Sequence, residues 1–245
     1  MNPNRTTHYR RLLLASLLLT LVACKNVPQP TESPRPNPAY SASAQPRSSD
    51  GFQPRRSRRN RTNAQAAPGE FDYYLLNLSW SPEFCATHNS PECGRGLGFV
   101  VHGLWPQNDD GTYPENCSNA PGPSNPQQYT DLIPTTSLIA HEWQTHGTCS
   151  GLAADAYFAT IRKADQEVHI PAGIGTGGDA SGVPPAQFLA RFAAANPSFP
   201  QGSILLSCGN NRLTAVEICM TKDLQPEACQ NVRSCRANVI QITPQ

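Results

Sequence analysis

Histidine and tryptophan are scarce in this chain, six and three among 245 residues, and charged residues make up only 15%. What is missing excludes several classes of protein. The most apolar stretch, Leu12 to Leu21, is interrupted at Ser16 and Thr20 and falls well short of the ~20 residues that a membrane-spanning helix needs. The Gly-rich stretch from Pro171 to Pro185 contains no Gly-Lys-Ser/Thr, so it reads as a surface loop rather than a phosphate-binding loop. His141-Glu142 opens like the zinc motif HExxH, but the next histidine falls five residues on, not four. On a helix that sets the two rings about 140° apart, poorly placed to share one ion. Neither a metal nor a cofactor is expected.

The cysteines are nine, an odd number. Residues 1–24 read as a lipoprotein-type export signal: Arg5, Arg10 and Arg11, then the apolar run, then Leu21-Val22-Ala23-Cys24, a lipobox in which the cysteine becomes the lipidated first residue after cleavage. An ordinary signal cut nearby is the other reading. Either way the chain is expected outside the cytoplasm, in the periplasm or cell envelope, with a membrane partner through lipid on Cys24. Setting Cys24 aside leaves eight: Cys85, Cys93, Cys117, Cys149, Cys208, Cys219, Cys229 and Cys235. An even set in an exported domain implies a disulfide framework, with the pairing left open by sequence alone.

Residues 25–69 are rich in Pro, Ser, Asn, Gln and Arg and nearly empty of large apolar side chains. Such a segment cannot bury enough surface to offset the entropy of ordering it, so it reads as a disordered tether. Residues 1–69 hold eleven Lys/Arg against two Asp/Glu, a net +9, while residues 70–245 hold eight against sixteen, a net −8. The near-neutral whole therefore hides a basic arm on an acidic domain. Arg55-Arg56-Ser57-Arg58-Arg59-Asn60-Arg61 has the charge to attract phosphates of RNA or lipid, and a merely solvated linker is the bland alternative.

Three of the six histidines fall in two short blocks, Phe99-Val100-Val101-His102-Gly103-Leu104-Trp105-Pro106 and His141-Glu142-Trp143-Gln144-Thr145-His146-Gly147-Thr148-Cys149. If the second block is a helix, steps of about 100° put Thr145, Glu142 and His146 on the face of His141, with Trp143 turned away as a core anchor. Gly147 is then expected as the C-cap. A third imidazole arrives from the end of a strand at His102. Imidazoles with ordinary pKa near 6.5 suit a reaction in which one proton is removed and another delivered in one step. Cleavage of RNA by its own 2'-hydroxyl is such a reaction.

HGLWP followed by HEWxxHGTC resembles the two active-site segments of the ribonuclease T2 family, and the resemblance covers about Glu70 to the C-terminus. It implies a metal-independent endoribonuclease, a monomer that cleaves single-stranded RNA through a 2',3'-cyclic phosphate to 3'-phosphate ends, with an acidic pH optimum. His102 and His146 resemble the general acid/base pair, His141 the phosphate-binding histidine, and Glu142 the carboxyl that steadies the phosphorane. Members commonly carry Lys where this chain has Thr145, which points to a weaker enzyme. In the family's aromatic base cage the corresponding positions are Trp105, Gln107 and Tyr113. Gln107 stands where an acceptor-only Asp is usual, and implies little base preference. The resemblance also implies the pairings Cys85–Cys93, Cys117–Cys149, Cys208–Cys235 and Cys219–Cys229. A non-catalytic RNA-binding or surface-interaction protein on the same scaffold is the rival reading.

Within residues 70–245, Phe71 to Trp80 alternates as a buried strand, and Leu97 to Val101 reads as the central strand leading to His102. Gln107 to Pro134 reads as loop. Ala153–Val168 and Pro185–Ala195 carry helical periodicity, the latter stopped by Pro197. Ile204–Ser207, Leu213–Met220 and Val239–Ile242 read as strands. Mixed elements without a regular βαβ rhythm give an α+β fold with a central, largely antiparallel sheet, flanking helices and four disulfides.

Overall fold

The computed structural model describes residues 66–176, 179 and 182–245. The expected export signal with Cys24, nearly all of the expected tether and the Arg55–Arg61 stretch lie outside the described residues. A four-stranded antiparallel sheet forms the centre, built from β1 (Tyr73–Trp80), β2 (Phe99–Gln107), β3 (Ile204–Gly209) and β4 (Arg212–Met220) in the order β2-β1-β4-β3. Around it lie helices α1 (Ser81–Thr87), α2 (Thr136–Thr145), α3 (Ala154–Gln166) and α4 (Pro185–Ala195). The four disulfides are those the resemblance implied.

Period-two alternation explains the core. Tyr74, Leu76, Leu78 and Trp80 of β1 face one side, with Val101 and Leu104 of β2, and meet Ile139, Trp143, Phe158, Ile161, Phe188 and Phe192 from the helices. Each such side chain contributes about 1.5–3 kcal/mol by leaving water. The opposite face carries a smaller cluster of Tyr73, Leu75 and Cys219, with Trp105 packed against it. Further along, that face bears the polar pair Asn77 and Ser79.

Three expectations need correction. First, β2 is an edge strand, and β1 and β4 are the inner ones. Moreover, β2 runs on through His102 to Gln107, so His102 sits mid-strand. Second, Val239–Ile242 makes no strand. Ile240 exchanges both backbone bonds with Val183 while Gln241 pairs with Asn211 and Leu213, so successive residues bond to different segments and no ladder extends. Third, Gly147 is not a left-handed cap. The cap is His146, at φ −117° and ψ −43°, and Gly147 opens a single 3-10 turn to Cys149. The glycine is needed because a β-carbon there would lie 2.5 Å from Trp143 and 2.8 Å from Tyr157. Helix α1 is too short for periodicity to reveal, although Ser81-Pro82-Glu83 is a helix-start signature.

Candidate active site

A β-bulge aims the first histidine. Along β1 and β2, Asn77 pairs with Gly103 but Leu78 pairs with Val101, so His102 is the extra residue of the bulge. The irregularity lets Val101 and Leu104, three apart, both face the core, while His102 falls on the side of Ser79. The Ser79 hydroxyl lies 3.0 Å from His102 Nδ1.

Helix α2 supplies the rest. Thr135 caps its start, the side-chain oxygen accepting from the Leu138 amide. Ile139 and Trp143 anchor it in the core, where the Trp143 indole donates to the Ala120 carbonyl. At the other end the Asn116 amide donates to the Thr145 carbonyl, and the Cys117–Cys149 disulfide ties the following turn to the same loop. Such a bridge contributes about 2–4 kcal/mol and holds the segment that carries His141, Glu142 and His146.

Glu142 is wholly buried. Its Oε2 accepts the Trp105 indole N–H at 2.8 Å, and its Oε1 stands 3.3 Å from His102 Nε2 without a donor aligned to it. The close fit requires Gly103, because a β-carbon there would fall 1.8 Å from Glu142 Oε2. Trp105 also lies against His146, ring centroids 5.2 Å apart, and His141 meets His146 edge-on at 6.4 Å. Thr145, one turn from His141, places its hydroxyl 3.4 Å from His141 Nδ1.

Burial sets the charge states. It pushes the Glu142 carboxyl up to about 8, partly offset by the Trp105 hydrogen bond, so this acid keeps its proton at neutral pH. Burial, with the neighbouring His141 and His102, pushes His146 down to about 3, and burial with His141 lowers His102. In the free site burial thus favours neutral rings at His102 and His146 beside a neutral acid at Glu142. A phosphodiester entering it favours imidazolium by its own charge.

The structure brings together six of the eight side chains singled out in the sequence: His102, Trp105, His141, Glu142, Thr145 and His146. Gln107, at the end of β2, turns its amide to the Pro106 carbonyl, and Tyr113 is half-buried in the loop beyond. His141, Glu142 and His146 each offer one donor atom, all within 4.8 Å of one another. The 140° separation expected on a regular helix therefore does not keep the donor atoms apart, since His146 is the cap, at φ −117° and ψ −43°, rather than a residue of α2. Ser79 and Gly103 were missed as site residues. Two clefts meet at His102 and Ser79, one of about 280 Å³ reaching Glu92, Leu138 and His141, and one of about 410 Å³ reaching Trp105, Ser207 and Thr214.

Comparison with known proteins identifies the scaffold. The model of the ribonuclease T2 family matches residues 71–229. A ribonuclease of Aeromonas hydrophila is 50% identical over 93 residues, 37% of this chain and 43% of that protein. Ribonuclease DdI of Dictyostelium discoideum is 30% identical over 177 residues, 64% of this chain and 76% of its own length. The bacterial matches span under half of their proteins' lengths, 43% and, for a probable ribonuclease of Haemophilus influenzae, 49%. Among solved structures, ribonuclease MC1 from bitter gourd seeds shares the fold with a TM-score of 0.57 and 24% identity over 70% of this chain and all of that one.

Proposed function

This chain belongs to the ribonuclease T2 family, and from that premise we propose that it is an exported endoribonuclease. It cleaves single-stranded RNA by transesterification to a 2',3'-cyclic phosphate, which it then opens to a 3'-phosphate. His102 and His146 exchange the two protons, one ring taking the 2'-hydroxyl proton while the other protonates the leaving 5'-oxygen. His141 binds the phosphate. Glu142, kept protonated by burial, donates a hydrogen bond to a phosphoryl oxygen, as a neutral buried acid does in other enzymes.

The observation that carries the reading is the convergence of three imidazoles from β2 and α2 on one buried carboxyl. The two clefts on either side of His102 suit the nucleotides flanking the scissile bond. Trp105 offers a half-buried face beside them, with Gln107 and Tyr113 completing a contact of low base preference. Lipid on Cys24 holds the enzyme at the envelope, for which an N-terminal mass matching a diacylated Cys24 is the check. The tether's basic arm draws RNA toward the acidic domain.

Incubating the protein with RNA in excess EDTA tests the reading. We expect cyclic-phosphate products, undiminished by the chelator, and loss on the order of 100-fold or more in kcat for His102→Ala and for His146→Ala. Abolition by EDTA with recovery on Zn²⁺ would establish the metal reading. Binding without cleavage would establish the non-catalytic one.

A further inference from the structure

The hydrogen bonds behind His102 form a chain with a direction. Glu217 on β4 lies opposite Asn77 on β1, and the Asn77 amide nitrogen donates to Glu217 Oε1 at 3.3 Å. Burial raises the Glu217 carboxyl, offset in part by the Asn77 hydrogen bond, and once ionised it only accepts. Asn77, buried at 5% exposure, must therefore turn its NH₂ toward Glu217 and present its carbonyl oxygen to Ser79. The Ser79 hydroxyl donates to that oxygen at 3.4 Å. Its one proton committed, Ser79 has only lone pairs left for His102 Nδ1 at 3.0 Å. The His102 nitrogen facing Ser79 must then carry the hydrogen.

We propose that Ser79 is a positioning residue that fixes the Nδ1–H tautomer of His102, with Asn77 and Glu217 setting the direction of its hydrogen bond. Nε2 is then the basic nitrogen, and it is the one turned toward Glu142. No other arrangement of protons satisfies the chain while Glu217 is ionised. The partner of one ring nitrogen decides which of the two is free. The hydroxyl thus does for this imidazole what a carboxylate or carbonyl does elsewhere. The proposal rests on the ribonuclease reading for its effect on rate, but not for the tautomer itself. The titratable groups facing His102 are Glu142, His141 and His146 from α2 and its cap, Glu83 and His88 from α1 and its end, and Glu92 from the loop beyond. None of them approaches Nδ1 as Ser79 does.

The test is the nitrogen chemical shifts of the His102 ring in ¹⁵N-histidine-labelled protein, with kcat and KM on a dinucleotide, for wild type, Ser79→Ala, Ser79→Thr and Glu217→Leu. In wild type with neutral His102 we expect a pyrrole-like Nδ1 and a pyridine-like Nε2. Ser79→Ala is expected to shift the ring toward the Nε2–H form and to lower kcat about 10-fold, with KM within about twofold. Ser79→Thr restores both, and Glu217→Leu gives a mixture of tautomers and a smaller loss. An Nε2–H ring in wild type, or a Ser79→Ala protein with unchanged shifts and unchanged kcat, overturns the proposal. Intact RNA with wild type, alongside the expected shifts, overturns the ribonuclease reading and leaves the tautomer assignment standing.

Discussion

The Glu142 carboxyl occupies the space that a side chain at Gly103 would need: a β-carbon on Gly103 would lie 1.8 Å from Oε2 and 2.7 Å from the carboxyl carbon. The helix brings its acid directly over the backbone of β2, one residue from the histidine that the acid faces. Gly103 therefore serves the site rather than the sheet. Its φ is not in the left-handed region, so the constraint is one of space alone.

Gly103→Ala follows from this. The methyl must displace Glu142 or Trp105, whose indole nitrogen would stand 2.6 Å away. Overpacking of this kind costs about 1–3 kcal/mol in stability. The larger effect is expected on turnover, a fall of about 100-fold in kcat on RNA, with the fold retained by circular dichroism. A Gly103→Ala enzyme with wild-type kcat would show that the position of Glu142 does not matter to the reaction.

Thr145 bears on the charge of the site. Its hydroxyl reaches His141 and can hydrogen-bond a phosphoryl oxygen, but it offers nothing against the negative charge that develops there. Losing one such stabiliser elsewhere costs about 10 to 1000-fold. Thr145→Lys is expected to raise kcat on RNA, by about 10-fold, and to increase the sensitivity of KM to salt. An unchanged or lower kcat would mean that the site is already balanced by His141.

Much of this was legible in the sequence, and the reasons differ by residue. His141 and Glu142 lie on α2 and His146 is the residue that caps it, so a 100° step sufficed to group them. His102 was legible because HGLWP and HEWxxHGTC occur together. The bulge at His102 was not, since it depends on which β1 residues face Val101 and Gly103, a matter of pairing between segments. The same holds for the edge position of β2 and for Gln241, whose partners lie in the β3–β4 turn and the start of β4. The Ser79–Asn77–Glu217 chain spans two strands, of which only the alternation of Asn77 and Ser79 within β1 was visible. For Gly147 the sequence offers only the commonest role of a glycine after a helix. Its actual role, clearance for Trp143 and Tyr157, is a tertiary fact.

Burial of opposite kinds of titratable group in one site fixes how stability must depend on pH. His146 is held down at about 3 in the folded protein against about 6.5 in the unfolded chain. Between those values the unfolded chain binds the extra proton, so stability is lost as pH falls below about 6.5. Burial lowers His102 in the same sense. Glu142 is the reverse: held up at about 8 against a starting value of 4.5, it keeps a proton that the unfolded chain releases. Its contribution is fully present below about 4.5 and is lost as pH rises toward 8. Between about 4.5 and 6.5 the two slopes oppose one another, which predicts a broad maximum there. Above it Glu142 contributes a decline of about 2 kcal/mol between pH 6.5 and 8 at 1.36 kcal/mol per unit, in the same sense as the other acids that burial raises, Glu217 and Asp165 among them. Glu142→Gln, which still accepts the Trp105 hydrogen bond but cannot ionise, is expected to flatten that alkaline limb in urea unfolding measured from pH 5 to 8.5. The acid limb, which belongs to the histidines, is expected to stay. If the alkaline limb is undiminished in the Gln variant, the carboxyl at the centre of the site is already ionised when the protein folds, and its role as a hydrogen-bond donor to the phosphate falls.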